Sequence, residues 1–191
     1  MPGSARERLE GYQVASEVLF SVGHGRRSID AFVALLRRAG IERLVDVRVA
    51  PGSRRNPQFG QEALRAELER AGIAYEWRRD LGGFRKPRPD SRHTALRHDM
   101  FRGYADHMDT DAFRAALARL IDTSAETRTA FMCAESDWHR CHRRMIADAL
   151  VATGVRVIHL LDAGDQEHVL PPYARVEDGR PVYDVGQTAI G

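Results

Sequence analysis

Two carboxylates and a few soft or basic side chains fall where the chain leaves apolar segments. Asp46 lies in the run RLVDVRV (43–49), two residues before Arg48, and Glu135 follows the run RTAFMC (128–133) by two. Residues two apart on a strand share a face, so Asp46 and Arg48 cannot both be buried without partners. They read either as an ion pair bracing the sheet or as working groups at its end. Glu135 reads either as a helix cap or as a carboxylate that meets substrate, and the chemistry open to it is general acid–base work. Cys133, Cys141 and His142 raise zinc, a redox pair or a thiol nucleophile. Their spacing matches no common zinc finger and no fourth ligand is evident, so no metal and no cofactor is expected. Both cysteines fit core positions as well.

These residues need elements to hold them. VLFSV (18–22) reads as a short buried strand ending in the Gly23-His24-Gly25 turn. Ser28 can cap a helix whose Ile29, Phe32, Val33 and Leu36 share one face, closed by Gly40. RLVDVRV is the second strand. A break at PGSRRNPQF (51–59) precedes a helix with Leu64 and Leu68 on one face, and IAYEWR (73–78) is the third strand. A basic loop, DLGGFRKPRPDSRH (80–93), leads to helices at about 96–107 and 111–122, the latter capped by Thr110. RTAFMC is the fourth strand, 139–152 a helix burying Cys141, and VRVIHL (155–160) the fifth strand. Strands alternating with helices predict an α/β fold, a mainly parallel sheet of about five strands with helices on both faces. Residues 1–17 read as a lead-in, 18–191 as one domain, and 161–191 as an irregular acidic segment.

Ligands of open parallel sheets bind outside the carboxyl ends of the strands. His24, Asp46 with Arg48, Gly82 with Gly83, Cys133 with Glu135, and His159 all fall at or near such ends, and His142 and Arg143 lie in the first turns of the helix after the fourth strand. That convergence predicts a substrate site lined by His24, Arg48, Gly82, Gly83, Cys133, His142 and Arg143.

Composition narrows the function classes. A chain of 191 residues, 43% hydrophobic and 29% charged, excludes disorder and a disulfide scaffold. The net charge of +2 says little, but between Arg48 and Arg102 there are 13 Arg and Lys against 7 Asp and Glu, a local +6. Lys86 is the only lysine, and arginine's planar fork suits phosphates and base edges. Arg54, Arg55, Asn56, Arg85, Lys86, Arg88 and Arg92, interleaved with Phe59 and Phe84, supply the ingredients for phosphate contacts and for wedging or stacking bases. Each run can equally be a solvated face. Two cysteines and a polar start predict a reducing, cytoplasmic setting, and no apolar run is long enough to span a membrane. No protein partner is evident.

GHG, LVDVR, PGSRRNPQF, LGGFRKPRPDS, FRGYADHM, MCAE and CHRRMIAD follow one another in the order shown by the domain-of-unknown-function 488 family, which the chain resembles from about Val18 to His159. Gly25 stands where serine is common in that family, and SDWHR varies the linker before Cys141. The resemblance implies a compact α/β domain. It further implies kinship with members acting as DNA glycosylases on modified pyrimidines such as 5-hydroxymethyluracil. Asp46 and Glu135 are then the expected catalytic carboxylates, double-stranded DNA the expected partner, and base flipping the means of access. Lys86 reads as a phosphate grip or as an amine for lyase chemistry. Two alternatives stay open: a small-molecule enzyme with Cys133 as nucleophile, as in sulfur transfer, and a non-enzymatic nucleic-acid binding module.

Overall fold

The computed structural model describes residues 18–52 and 55–186. Within them, alternating apolar residues build a sheet buried on both sides. Strands β1 (Val18–Gly23), β2 (Arg43–Asp46), β3 (Ala74–Trp77), β4 (Thr129–Cys133), β5 (Arg156–His159) and β6 (Gln166–Glu167) lie in the order β3-β2-β4-β1-β5-β6. The first five run parallel and β6 is antiparallel to β5. Leu19, Val45, Phe131 and Val157 face one layer, Phe20, Leu44, Ala130 and Met132 the other. This is the period-two pattern of a strand read on both faces.

Helices α1 (Ile29–Arg38) and α2 (Gln61–Arg70) cover the second face with Phe32, Leu35, Leu36, Leu64 and Leu68. Helices α3 (Asp99–Met108), α4 (Asp111–Glu126) and α5 (Arg143–Ala152) cover the first. Ser28 caps α1 by accepting from the Ala31 N–H at 3.2 Å, and Thr110 caps α4 by accepting from Phe113 N–H at 3.2 Å. Each satisfies an N–H that the first helical turn leaves unpaired. Gly40 and Gly72 take φ of 65° and 76°, which ends the helices before them with little strain.

Three expectations are corrected. The second strand stops at Asp46, not residue 49, because the Asp46 carboxylate accepts the Arg48 backbone N–H at 3.0 Å and turns the chain out of the ladder. The helix expected from 139 begins at Arg143. Asp137 caps a separate single turn at Trp138–Arg140, and Cys141 is extended (φ −118°, ψ 148°), outside the helix. The segment after 161, expected to be irregular, supplies β6 and a hairpin of β7 (Arg175–Glu177) and β8 (Arg180–Val182) within the described residues. Asp178 and Gly179, both at positive φ, form its two-residue turn, a signal present in the sequence as Asp-Gly. Tyr183 then bonds Asp148 of α5 at 2.7 Å through its hydroxyl. The lead-in 1–17 lies outside the described residues. No helix among the described residues is long and apolar enough to cross a membrane.

Candidate active site

The carboxyl ends of β2, β4 and β1 are neighbours, so their terminal residues meet. Asp46 pairs with Met132 in the ladder, and the His24 N–H donates to the Cys133 carbonyl at 3.1 Å. Asp46 is 0% exposed. Its oxygens accept from Arg48 Nε at 2.9 and 3.1 Å, from Arg48 Nη2 at 2.6 Å and from the Tyr75 hydroxyl at 2.7 Å. Arg48 spends Nη1 on the Phe59 carbonyl at 2.9 Å and reaches His24 Nε2 at 3.5 Å. Trp77 donates from Nε1 to the Arg48 carbonyl at 2.8 Å. Asp46 is thus an ion-paired anchor for Arg48, with no face left toward solvent. This corrects its expected role as a carboxylate that touches substrate. The Tyr75 hydroxyl is held un-ionised by burial and by the adjacent Asp46 charge.

His24 is buried and stacks on Phe59 at 4.2 Å between ring centroids. Nδ1 lies 2.9 Å from the Gly25 carbonyl and therefore carries the ring proton, leaving the Nε2 lone pair toward Arg48. Burial, then the Arg48 charge, lower its pKa from 6.5 to about 4. The unfolded chain takes up this proton near 6.5, the folded chain only near 4. Stability is therefore full above 6.5 and falls as pH drops through that window, by about 3 kcal/mol for this group. His159, lowered to about 2 chiefly by burial, acts in the same direction. Urea unfolding followed from pH 7.5 to 4.5 is expected to show this loss, with proton uptake on unfolding smaller by about one in His24→Gln. A flat profile contradicts the assignment.

Arg143, expected to bind substrate, is instead framework. It is 1% exposed and donates to Ser21 Oγ at 2.9 Å and to the Glu135 carbonyl at 2.5 Å. Gly23 makes this possible: a methyl there would collide with the Glu135 carbonyl and lie 2.7 Å from Arg143 Nη2. The main chain at Glu135 is thereby fixed while its carboxylate stays exposed, accepting the Asp137 N–H at 3.3 Å. Cys133 is half-buried, Cys141 buried, and both sulfurs face His142. The pair shares one ionisation: hydrogen bonding from Cys133 and His142 lowers the Cys141 thiol, and Cys133 is correspondingly raised. Gly82 and Gly83 are buried against Val49 and the His142 ring, where a Cβ would meet them at 2.6 and 3.0 Å. They pack the basic loop down onto the rim instead of lining an open site.

The basic residues divide. Phe84 is 82% exposed at φ 61°, a left-handed conformation unusual for a bulky side chain. Lys86, Arg55 and the half-exposed Arg88 are open to solvent, with Arg85 bonded to the Gly83 carbonyl at 3.1 Å. Arg88 lies 3.7 Å from Asp106 and 3.6 Å from Asp109. Asn56 is half-buried, and Arg54 lies outside the described residues. Two expectations fail. Phe59 is 0% exposed, packed against His24 and edge-on to Phe32, so it cannot wedge a base step. Arg92 is committed to Asp109 at 2.9 Å and Glu177 at 2.7 Å.

Sequence reasoning missed two sets of partners. Tyr75 and Trp77, two apart and so on one face of β3, both serve the Asp46–Arg48 segment. A buried acid in an apolar strand demands donors from its neighbour, which is a usable signal. The second set is a buried chain in which His159 Nε2 meets His168 Nδ1 at 2.9 Å, His168 Nε2 meets Asp148 at 2.7 Å, and Tyr183 closes on Asp148. Trp138 stacks on His159 at 4.0 Å. Its members come from β5, α5 and the tail, and no local pattern announces it.

Residues 28–150 match the family described as Domain of unknown function DUF488, a span that starts after His24 and takes in Asp46, the basic loop, Glu135 and the Cys133–His142 cluster. Comparison with curated proteins and with solved structures gives no match. With well over half its length matched, the chain belongs to the DUF488 family.

Proposed function

We propose that the protein is a DNA-acting hydrolase that flips a modified pyrimidine such as 5-hydroxymethyluracil from the duplex and cleaves its N-glycosidic bond. The observation that carries this reading is Phe84: a large apolar side chain, 82% exposed, held in a left-handed backbone conformation between the buried Gly83 and the basic Arg85-Lys86 pair. An exposed aromatic flanked by cations suits insertion into a base step while neighbouring cations hold phosphates. Glu135, exposed on a main chain fixed by Arg143, is the carboxylate available to a substrate. In the proposed reaction water adds to the sugar C1′ as the C1′–N1 bond breaks with its electron pair leaving on the base. Glu135 stabilises the positive charge built on the sugar and passes the water proton to the departing base. Asp46 acts one step back, positioning Arg48 and through it the neutral His24.

Phe84→Gly separates this role from a structural one. Glycine relieves the positive φ, so folding stability is expected to hold or to improve by up to about 1 kcal/mol. Base release from a fully paired duplex is expected to fall about tenfold or more, and less from a mismatched target that opens cheaply. The primary test is abasic product from a panel of duplexes carrying modified and mismatched pyrimidines. Salt-sensitive DNA binding with no product on any member would leave a binding module, and so reject the enzyme reading.

A further inference from the structure

Cys133, Cys141 and His142 reach one point from the end of β4 and from the two residues before α5. Each sulfur lies 3.8 Å from the same nitrogen, His142 Nδ1, and the three ligand atoms all lie within 4.8 Å of one another. One ring nitrogen has one lone pair or one proton and cannot bond two thiols equally well. A common centre accounts for the equal spacing. Zinc–sulfur and zinc–nitrogen bonds of about 2.3 and 2.0 Å at tetrahedral angles put S and N about 3.5 Å and the two sulfurs about 3.8 Å apart. The S–N sides would close by a few tenths of an ångström, and the sulfurs, within 4.8 Å here, by up to about 1 Å to seat the ion. Gly83 packs closely against this ring, where a Cβ would stand 3.0 Å from Nδ1, so the loop helps to hold the imidazole in place. The Tyr104 ring, tilted at 5.2 Å, backs His142 from another side.

We propose that Cys133, Cys141 and His142 form a three-ligand site for a soft divalent cation of the zinc class. Among the described residues no fourth His, Cys, Asp or Glu joins the group. Its fourth position is left to solvent or to a polar group of the substrate, the pattern of an open rather than a closed structural site. Two thiolates and a neutral imidazole balance the charge of the ion, and binding releases the thiol protons to solvent. The spacing hid this because the ligands converge only once Cys141 is extended instead of helical.

The test uses the full chain, reduced and freed of metal by a chelator, and titrated with cobalt(II) as the optical probe. One equivalent is expected to bring sulfur-to-cobalt charge-transfer absorption and the intense visible bands of a four-coordinate ion, bleached when zinc displaces it. Cys133→Ser and His142→Ala are each expected to weaken binding at least tenfold. Cys141 is buried, so its part is read in the unaltered protein: one equivalent of zinc is expected to protect both thiols from iodoacetamide. A chain that takes up no cobalt, a spectrum unchanged in Cys133→Ser, or oxidation to a Cys133–Cys141 disulfide in protein that binds no metal would each overturn the proposal. None of these readouts depends on base release, so the two readings stand or fall separately.

Discussion

Asp46→Asn is expected to cost about 3–5 kcal/mol of folding stability, because it leaves the Arg48 guanidinium buried without its counter-charge. Arg48 is 6% exposed, so solvent cannot take over. Asparagine can still accept from Tyr75 or from Arg48 Nε, but it brings no charge, and the cost of a lone buried cation exceeds that of a lost hydrogen bond. The loss should spread: Arg48 reaches His24 and holds the Phe59 carbonyl, and Phe59 stacks on His24. Urea unfolding at neutral pH measures the effect. The double variant Asp46→Leu with Arg48→Met should recover much of it, since replacing both partners by apolar groups removes the stranded charge. A single-variant loss below about 1 kcal/mol would mean the pair is hydrated, and the anchor role of Asp46 would fall.

Glu135→Gln is expected to act in the opposite manner, on rate and not on folding. Its carboxylate is exposed and its structural bond to Arg143 is made by the backbone carbonyl, so stability should stay within about 0.5 kcal/mol. Single-turnover base release should fall by about 10²–10⁴, the usual worth of a positioned acid–base group, with DNA affinity unchanged. Release at the wild-type rate would remove Glu135 from the chemistry. Comparing the two variants keeps apart a carboxylate that meets substrate and one that holds the sheet together.

Much of this architecture was legible because local rules act locally. Alternation of Leu19 with Phe20 and of Leu44 with Val45 marks strands buried on both faces, and Ser28 and Thr110 cap the helices their positions predict. The site was legible as a neighbourhood, since strand ends in a parallel sheet converge whatever their sequence. Individual roles were not. Arg92 looks like a free cation until Asp109 and Glu177 arrive from distant segments, and Phe59 looks like a wedge until a single helical turn tucks it under His24. Arg143 sits where a helix N-terminus attracts anions, yet the carbonyl of Glu135 and the hydroxyl of Ser21 take its donors. Burial and long-range pairing decide these cases, and neither is written in residue spacing.

The strand order also sets a timetable for synthesis. β1 is made first, yet its neighbours in the sheet are β4 and β5, with Phe20 opposite Ala130 on one side and Ile158 on the other. More than a hundred residues must leave the ribosome before its first edge is covered, and about thirty more before its second. In the meantime the early α1–β2–α2–β3 portion can pair β2 with β3 but lacks the strand that joins them to β1. Among the described strands, β1 with Leu19, Phe20 and Val22 therefore spends the longest time uncovered, and it is the one for which a growing chain most needs protection from its own copies.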